Sequence, residues 1–308
     1  MSVRMRPSCV RCGRMVDLTD EVVGDFFKEI IHPCSRCSAP INLWDVVRKS
    51  FDDEIGPFEV FGIVGAQTWV SDLTVFRNMA DKVNLKELGL PPKAKILHVD
   101  LWPMDLDIHP FLAPQMFNDV APEELYFFTR DVPNMPSDLR TTGETGSARL
   151  VITWVETSTE NFALMNLVQA LELFTMKRYI ETIVPSNVVI EPKMKSVMKK
   201  VFNRYAESDG VGTMFKGTNN LVANATMFSV IMPVAAELVK FPKLVEPIPT
   251  ILKDLNANRN EVAHEGRAKK EFLKDPKKLA ADFICATFFT MAYLRLMEQH
   301  VDGLNDRK

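Results

Sequence analysis

The chain has 308 residues, 46% of them hydrophobic and 25% charged, with a net charge of −3. That balance suits a soluble protein of two or three domains and sets aside a globally basic nucleic-acid binder, while leaving room for a local basic patch. The N-terminal stretch has no apolar run of the signal-peptide kind, and the richest apolar stretch, 280–296, is interrupted by Asp282, Thr287, Thr290 and Arg295, so the expectation is a cytoplasmic protein with reduced thiols and no membrane partner.

Four of the five cysteines fall in the first 37 residues, as Cys9-x2-Cys12, a gap of 21 residues, then Cys34-x2-Cys37. A two-residue spacing lets both thiolates of a pair face one ion while backbone N–H groups of the turn face the sulfurs. Gly13 supplies the tight turn that such a knuckle favours. Four thiolates close a tetrahedral shell, so the expected cofactor is a structural zinc, and its binding supplies folding energy to a segment too small for its own core. Two redox Cys-x2-Cys pairs are the alternative, weakened by the lack of a βαβ context. His32 is a substitute ligand at most, and Cys285, in an apolar helical run, reads as core. The segment resembles a zinc ribbon or paired zinc knuckles. Arg4, Arg6, Arg11, Arg14 and Arg36 gather around it, either facing an acidic partner or forming a solvated rim.

After a short helix over 41–51, whose Leu43, Trp44, Val46 and Val47 would fold back on the zinc module, the period changes. Segments 57–66, 68–76, 94–102, 125–130 and 148–156 are short and rich in Val, Ile, Phe, Tyr and Trp. Residues 150–155 alternate, and turn-rich stretches at 133–138 and 141–147 separate strands. These features predict an antiparallel sheet or sandwich. Asp105, Asp107 and His109 would share one face of a strand and offer a divalent-metal set. Pro103 and Pro110 bracket them, which favours an irregular loop instead.

From residue 158 the pattern is helical. Hydroxyl caps at Ser158 and Thr159 open a long helix with an apolar face running from Phe162 to Met176, ended by Pro185. A second helix covers 193–205 after Pro192, and Gly210, Gly212 and Gly217 mark a loop. A third covers 219–239 with a kink at Pro233, a fourth 244–263 with Gly266 beyond its end, and a last one runs from Asp275-Pro276 to about residue 300. The resulting fold class is α+β multidomain: a four-cysteine zinc module over 1–52, a β-rich domain over 53–157, and an all-α bundle over 158–308.

The fourth helix carries the chemistry in Arg259-Asn260-Glu261-Val262-Ala263-His264, followed by Glu265-Gly266. Arginine stays charged and can fork two hydrogen bonds to phosphate oxygens. Histidine titrates near neutrality and can take a proton from a ribose hydroxyl or return one. A fixed cation, an amide and an acid/base within six residues suffice to cleave a phosphodiester with no catalytic metal. A capped helix end with two surface polar residues is the alternative. The following Arg267, Lys269, Lys270, Lys274, Lys277 and Lys278 either track an RNA backbone or form a solvated hinge.

With that motif late in a bundle, the C-terminal part, about 158–305, resembles the HEPN superfamily. Those all-helical domains carry Arg, a polar residue, then His four to six residues after the Arg. Asn260 fills the polar slot, and Ala263-His264-Glu265-Gly266 matches the family's common Ala-His-x-Gly ending. The resemblance implies a metal-independent endoribonuclease, often a toxin or antiviral defence effector, acting on RNA (tRNA among the candidates). Arg259, Asn260 and His264 would be catalytic, and the protein would be a homodimer with two motifs facing one cleft. Helical geometry agrees with that need, because residues five apart on a regular helix point about 140° away from each other. Arg259 and His264 therefore reach one phosphate only if the helix unwinds before Gly266 or a second chain contributes. A non-catalytic binding or assembly module and a zinc-ribbon nucleic-acid-binding regulator remain as alternatives.

Overall fold

The computed structural model describes residues 8–14, 16, 18–51, 63–64, 66–87, 89–90, 94–105, 108–112, 124–131, 136, 143–156, 161–206 and 230–305. The architecture is mixed α+β, with a cysteine cluster at the N-terminus, β-sheets in the middle and helices in the C-terminal half. The chain divides into two compact units, one spanning 66–159 and the other combining 6–65 with 160–308.

The N-terminal part of the second unit holds helix α1 (Asp20–Phe27), the two-residue strands β1 (His32–Pro33) and β2 (Pro40–Ile41), and helix α2 (Leu43–Lys49). The Thr19 and Asn42 side chains accept from the backbone N–H of Val22 and Trp44, satisfying one orphan donor at the start of each helix. This segment completes its core with the far end of the chain. Phe26, Phe27 and Trp44 pack on Phe289, Phe27 also meets Tyr293, and Phe51 meets Phe174. Two ion pairs cross the same seam, Arg48 with Asp282 at 2.6 Å and Arg295 with both oxygens of Asp20 at 2.7 and 2.8 Å. Apart from Phe174, these partners all stand on the helix Pro276–Asn305, more than 230 positions along the chain from the residues they meet.

The helical half contains α3 (Asn161–Thr175), a 3-10 turn at Tyr179–Thr182, α4 (Ile183–Val188), α5 (Ile190–Phe202), α6 (Met232–Leu238), α7 (Ile248–Glu265), α8 (Lys270–Lys274) and α9 (Pro276–Asn305). The first predicted helix stops early. Lys177 takes a left-handed conformation at φ 62° and the chain turns, so Pro185 sits in the first turn of α4, where a missing N–H is tolerated, instead of ending a long helix. The proposed caps Ser158 and Thr159, the glycines 210, 212 and 217 and most of the third helix lie outside the described residues. Helix α9 is the hub, with Phe283, Ile284, Phe288, Phe289, Tyr293 and Leu294 all buried. By length and composition it could cross a membrane, but 78% of its apolar window is buried within the protein. Its internal polar groups are satisfied locally, Thr287 and Thr290 donating to the carbonyls of Phe283 and Ala286 and Tyr293 to that of Pro242.

Among the described residues, the other unit holds two three-stranded antiparallel sheets. One has the order β3 (Gln67–Phe76), β8 (Thr145–Glu156), β5 (Ala94–Pro103); the other β4 (Ala80–Asn84), β7 (Glu124–Asp131), β6 (Ile108–Leu112). Ala148, Leu150, Ile152 and Trp154 alternate along β8 into a core shared with Val99, Leu101, Ile108, Leu125 and Phe127. Asp72 and Arg149 face each other across β3 and β8 and form a two-pronged ion pair at 2.7 and 3.1 Å. Two of these strands escape the apolar pattern. Strand β4 buries only Val83, and β6 contains Pro110, which an edge strand accommodates. The predicted strand 57–66 and the turn at 133–138 fall largely outside the described residues, while of the turn predicted over 141–147 residues 143–144 form a bend and 145–147 already belong to β8.

Candidate functional site

The cysteine centre is built from two turns with the same wiring. In the first, Cys9 N–H donates to Arg14 O at 2.7 Å and Gly13 N–H to Cys9 O at 2.9 Å; in the second, Cys34 N–H donates to Ala39 O at 2.8 Å and Ser38 N–H to Cys34 O at 2.9 Å. Gly13 (φ 70°) and Ser38 (φ 55°) occupy the same left-handed position. The spacing reveals the first knuckle through its glycine; the second meets the same demand with a serine. The four sulfurs lie within 4.8 Å of one another, with Cys9–Cys37 at 3.9 Å and Cys12–Cys34 at 3.6 Å. A tetrahedron with metal–sulfur bonds of about 2.3 Å has edges of about 3.8 Å, so this group is dimensioned to bind one ion. Backbone N–H groups of Arg36 and Cys37 hold the Cys34 thiol down at about 6, and those of Arg11 and Cys12 lower Cys9. The Arg14 N–H pulls Cys12 the same way, but burial and the neighbouring sulfurs outweigh it and raise that thiol to about 11. Four such sulfurs ionise together only around a cation. His32 is engaged elsewhere, its Nε2 lying 3.0 Å from Asp25 Oδ2.

No second metal cluster occurs among the described residues. Asp105 accepts hydrogen bonds from the backbone N–H and hydroxyl of Ser147, so it fastens a turn. Asp107 lies outside the described residues, while His109 is in strand β6 and not in a loop, paired in register with Arg130. Arg11, Arg14 and Arg36 are exposed around the knuckles; Arg4 and Arg6 lie outside the described residues. Beside the second knuckle lies a groove of about 540 Å³ whose lining includes Val16, Phe26, Ile31, Leu43 and Val245.

The Arg-Asn-His motif occupies the last two turns of α7. Arg259 and Asn260 are half-buried, His264 is exposed, and Arg259 Nη1 lies 3.5 Å from Asn260 Oδ1. The helix does not unwind before its end. It continues to Glu265, and Gly266, left-handed at φ 68°, closes it by donating to Val262 O at 3.1 Å. Of the two ways to bring Arg259 and His264 to one phosphate, local unwinding is therefore removed, and within one chain the two side chains diverge by about 140°. Glu265 is held by Arg267 at 2.7 and 3.0 Å, and that guanidinium keeps its carboxylate below the ordinary range.

Two further asparagines on α7 were not singled out by the motif. Asn258 is buried, donating to Asp254 O at 2.9 Å and accepting from Lys269 N–H at 3.1 Å, and so ties the chain after the helix back onto it. Asn256 is 7% exposed, and its Oδ1 meets no donor among the described residues. Their signal was present in the sequence: three asparagines at 256, 258 and 260 inside one helix run against helix propensity.

Comparison with models of protein families, with curated proteins and with solved structures returns no match.

Proposed function

We propose that this protein is a metal-independent endoribonuclease of the HEPN type, acting as a homodimer, with a structural zinc in its four-cysteine centre. The observation that supports the reading is a regular helix ending in an unpaired arginine, an adjacent amide and an exposed histidine: Arg259, Asn260 and His264 engage no ion pair among the described residues. A half-buried guanidinium that meets no carboxylate among the described residues is suited to an anionic ligand.

In the proposed reaction His264 removes the proton of a ribose 2′-hydroxyl. The oxygen attacks the adjacent phosphorus, the bond to the 5′-oxygen breaks, and that oxygen takes up a proton, leaving a 2′,3′-cyclic phosphate and a 5′-hydroxyl. Arg259 binds the phosphate and offsets the added charge of the five-coordinate transition state, and Asn260 orients phosphate or imidazole. Because the two key side chains diverge within one chain, each site takes its arginine from one copy and its histidine from the other. The zinc supplies folding energy and no chemistry. The likeness of 158–305 to HEPN domains adds a toxin or defence effector in the cytoplasm as the setting, with the cysteine and β-rich parts positioning RNA or sensing a trigger.

The test is cleavage of single-stranded RNA or tRNA in EDTA by the wild-type chain and by His264→Ala, with folding checked by circular dichroism. Loss of cleavage in a folded variant supports the reading. Equal cleavage by both removes His264 from the mechanism.

A further inference from the structure

The segment after α7 does not leave the helix; it runs back along it. Three fixed points define the path. Gly266 N–H closes the C-terminal end, Lys269 N–H is held by Asn258 Oδ1 at 3.1 Å, and Lys278 lines a cleft of about 460 Å³ with Pro247 and Ile251 at the other end of α7. At 1.5 Å per residue, Asn258 lies about 9 Å and Ile251 about 20 Å from the level of His264. Along that course the chain carries Arg267, Lys269, Lys270, Lys274, Lys277 and Lys278 against only Glu271 and Asp275, in a protein whose net charge is −3. Arg267 pairs with Glu265, whereas none of the five lysines forms an ion pair among the described residues. All are exposed except Lys269, which is partly covered.

The cleft at the far end extends the strip across the seam with the cysteine segment. Arg48 and Lys49 of α2 and Lys278 line it against the carboxylates of Asp45 and Asp282, beside the largely buried Trp44. Arg48 is held by Asp282, while Lys49 is exposed and has no ion pair among the described residues.

We propose that this strip, from His264 along 267–278 to the cleft at Lys49 and Lys278, is the track on which the phosphates of a single-stranded RNA lie. The inference rests on reading the end of α7 as a phosphodiester site and adds where the rest of the substrate runs. A narrow line of lysines about 20 Å long matches the charge of roughly six stacked nucleotides at 3.4 Å per phosphate. It suits a membrane surface poorly. Leu273 is the one large apolar side chain exposed along it, and interfacial binding takes a whole apolar face. The role of the N-terminal module follows as well, because the folded cysteine segment holds α2 in place and thereby supplies the last cation of the track.

The experiment measures binding of fluorescein-labelled oligouridylate of 12 and 4 nucleotides to the full-length His264→Ala protein by anisotropy across a KCl series. The 12-mer is expected to bind more tightly than the 4-mer. The triple change Lys49→Gln, Lys277→Gln, Lys278→Gln is expected to lower the slope of log K against log salt by about 2, at roughly 0.7 per lost phosphate contact, while Lys86→Gln leaves it unchanged. An unchanged slope in the triple variant, equal binding of the two lengths, or equal binding of phosphatidylserine vesicles or polyglutamate would overturn the track. Its failure is separable from that of the nuclease reading. Wild-type protein that cuts RNA while the triple variant binds normally refutes the track alone; wild-type protein that shows the expected slopes but never cuts upholds the track and refutes the nuclease.

Discussion

If each site draws Arg259 from one copy and His264 from the other, two dead proteins should make a live one. The perturbation is a pair of single variants, Arg259→Ala and His264→Ala, prepared separately, each with no detectable cleavage. Residues 259 and 264 stand on a helix that stays regular to Glu265, five positions and so about 140° apart. Alanine at either position fits a helix that already carries Ala257 and Ala263. Mixed at equal concentration and allowed to exchange, half the dimers contain one chain of each kind. In such a dimer one site combines the intact arginine with the intact histidine, and the other lacks both. The mixture should therefore recover about a quarter of wild-type activity, as expected for a two-fold symmetric interface. The assay is cleavage of labelled RNA in EDTA, with subunit exchange verified by native mass spectrometry of differently tagged chains. No recovery despite confirmed mixed dimers would refute the shared site.

Other outcomes follow from the packing. Elemental analysis should find one zinc per chain, and stripping it should quench or shift Trp44 fluorescence and lower the melting temperature of the helical unit, because α2 and α9 share one aromatic cluster; a chelated protein that melts unchanged would contradict the staple. Glu298→Ala should destabilise the α5–α9 interface by about 3 kcal/mol in denaturant titration, since Lys193, only 8% exposed, is held by that carboxylate at 2.6 Å, and adding Lys193→Met should restore most of the loss. The hydrogen-bonded Arg295 guanidinium holds Asp20 below its unfolded value of about 3.9, so the pair's contribution is complete above about pH 4 and disappears as pH falls through the lower folded value. Because Asp20 is half-exposed, Asp20→Asn should cost at most about 1 kcal/mol at neutral pH and nothing in acid.

The sequence was most readable where one kind of residue carries the whole constraint. Two Cys-x2-Cys pairs were sufficient to predict that four sulfurs would meet, and they do. Alternation along 150–155 identified β8, and Asp275-Pro276 located the start of α9. Strand β4 was hidden because only Val83 of its five residues is buried, and β6 because Pro110 argues against a strand unless its place at a sheet edge is known. The turn at Lys177 was hidden because a left-handed lysine leaves no mark that a glycine would. Long-range partnerships were the least accessible. Nothing local to Trp44 names Phe289, and nothing local to Lys49 places it beside Lys278. The motif on α7 could be read as residues, but whether its helix continues past His264 is a property of the backbone, and that continuity separates a self-contained site from a shared one.

The measurement closest to the central claim is the 5′ and 3′ chemistry of RNA fragments produced in EDTA. The account predicts a 2′,3′-cyclic phosphate and a 5′-hydroxyl from the wild-type chain, and no fragments from folded His264→Ala or Arg259→Ala. Fragments ending in 3′-hydroxyl and 5′-phosphate, or cleavage that requires an added divalent ion, would contradict it.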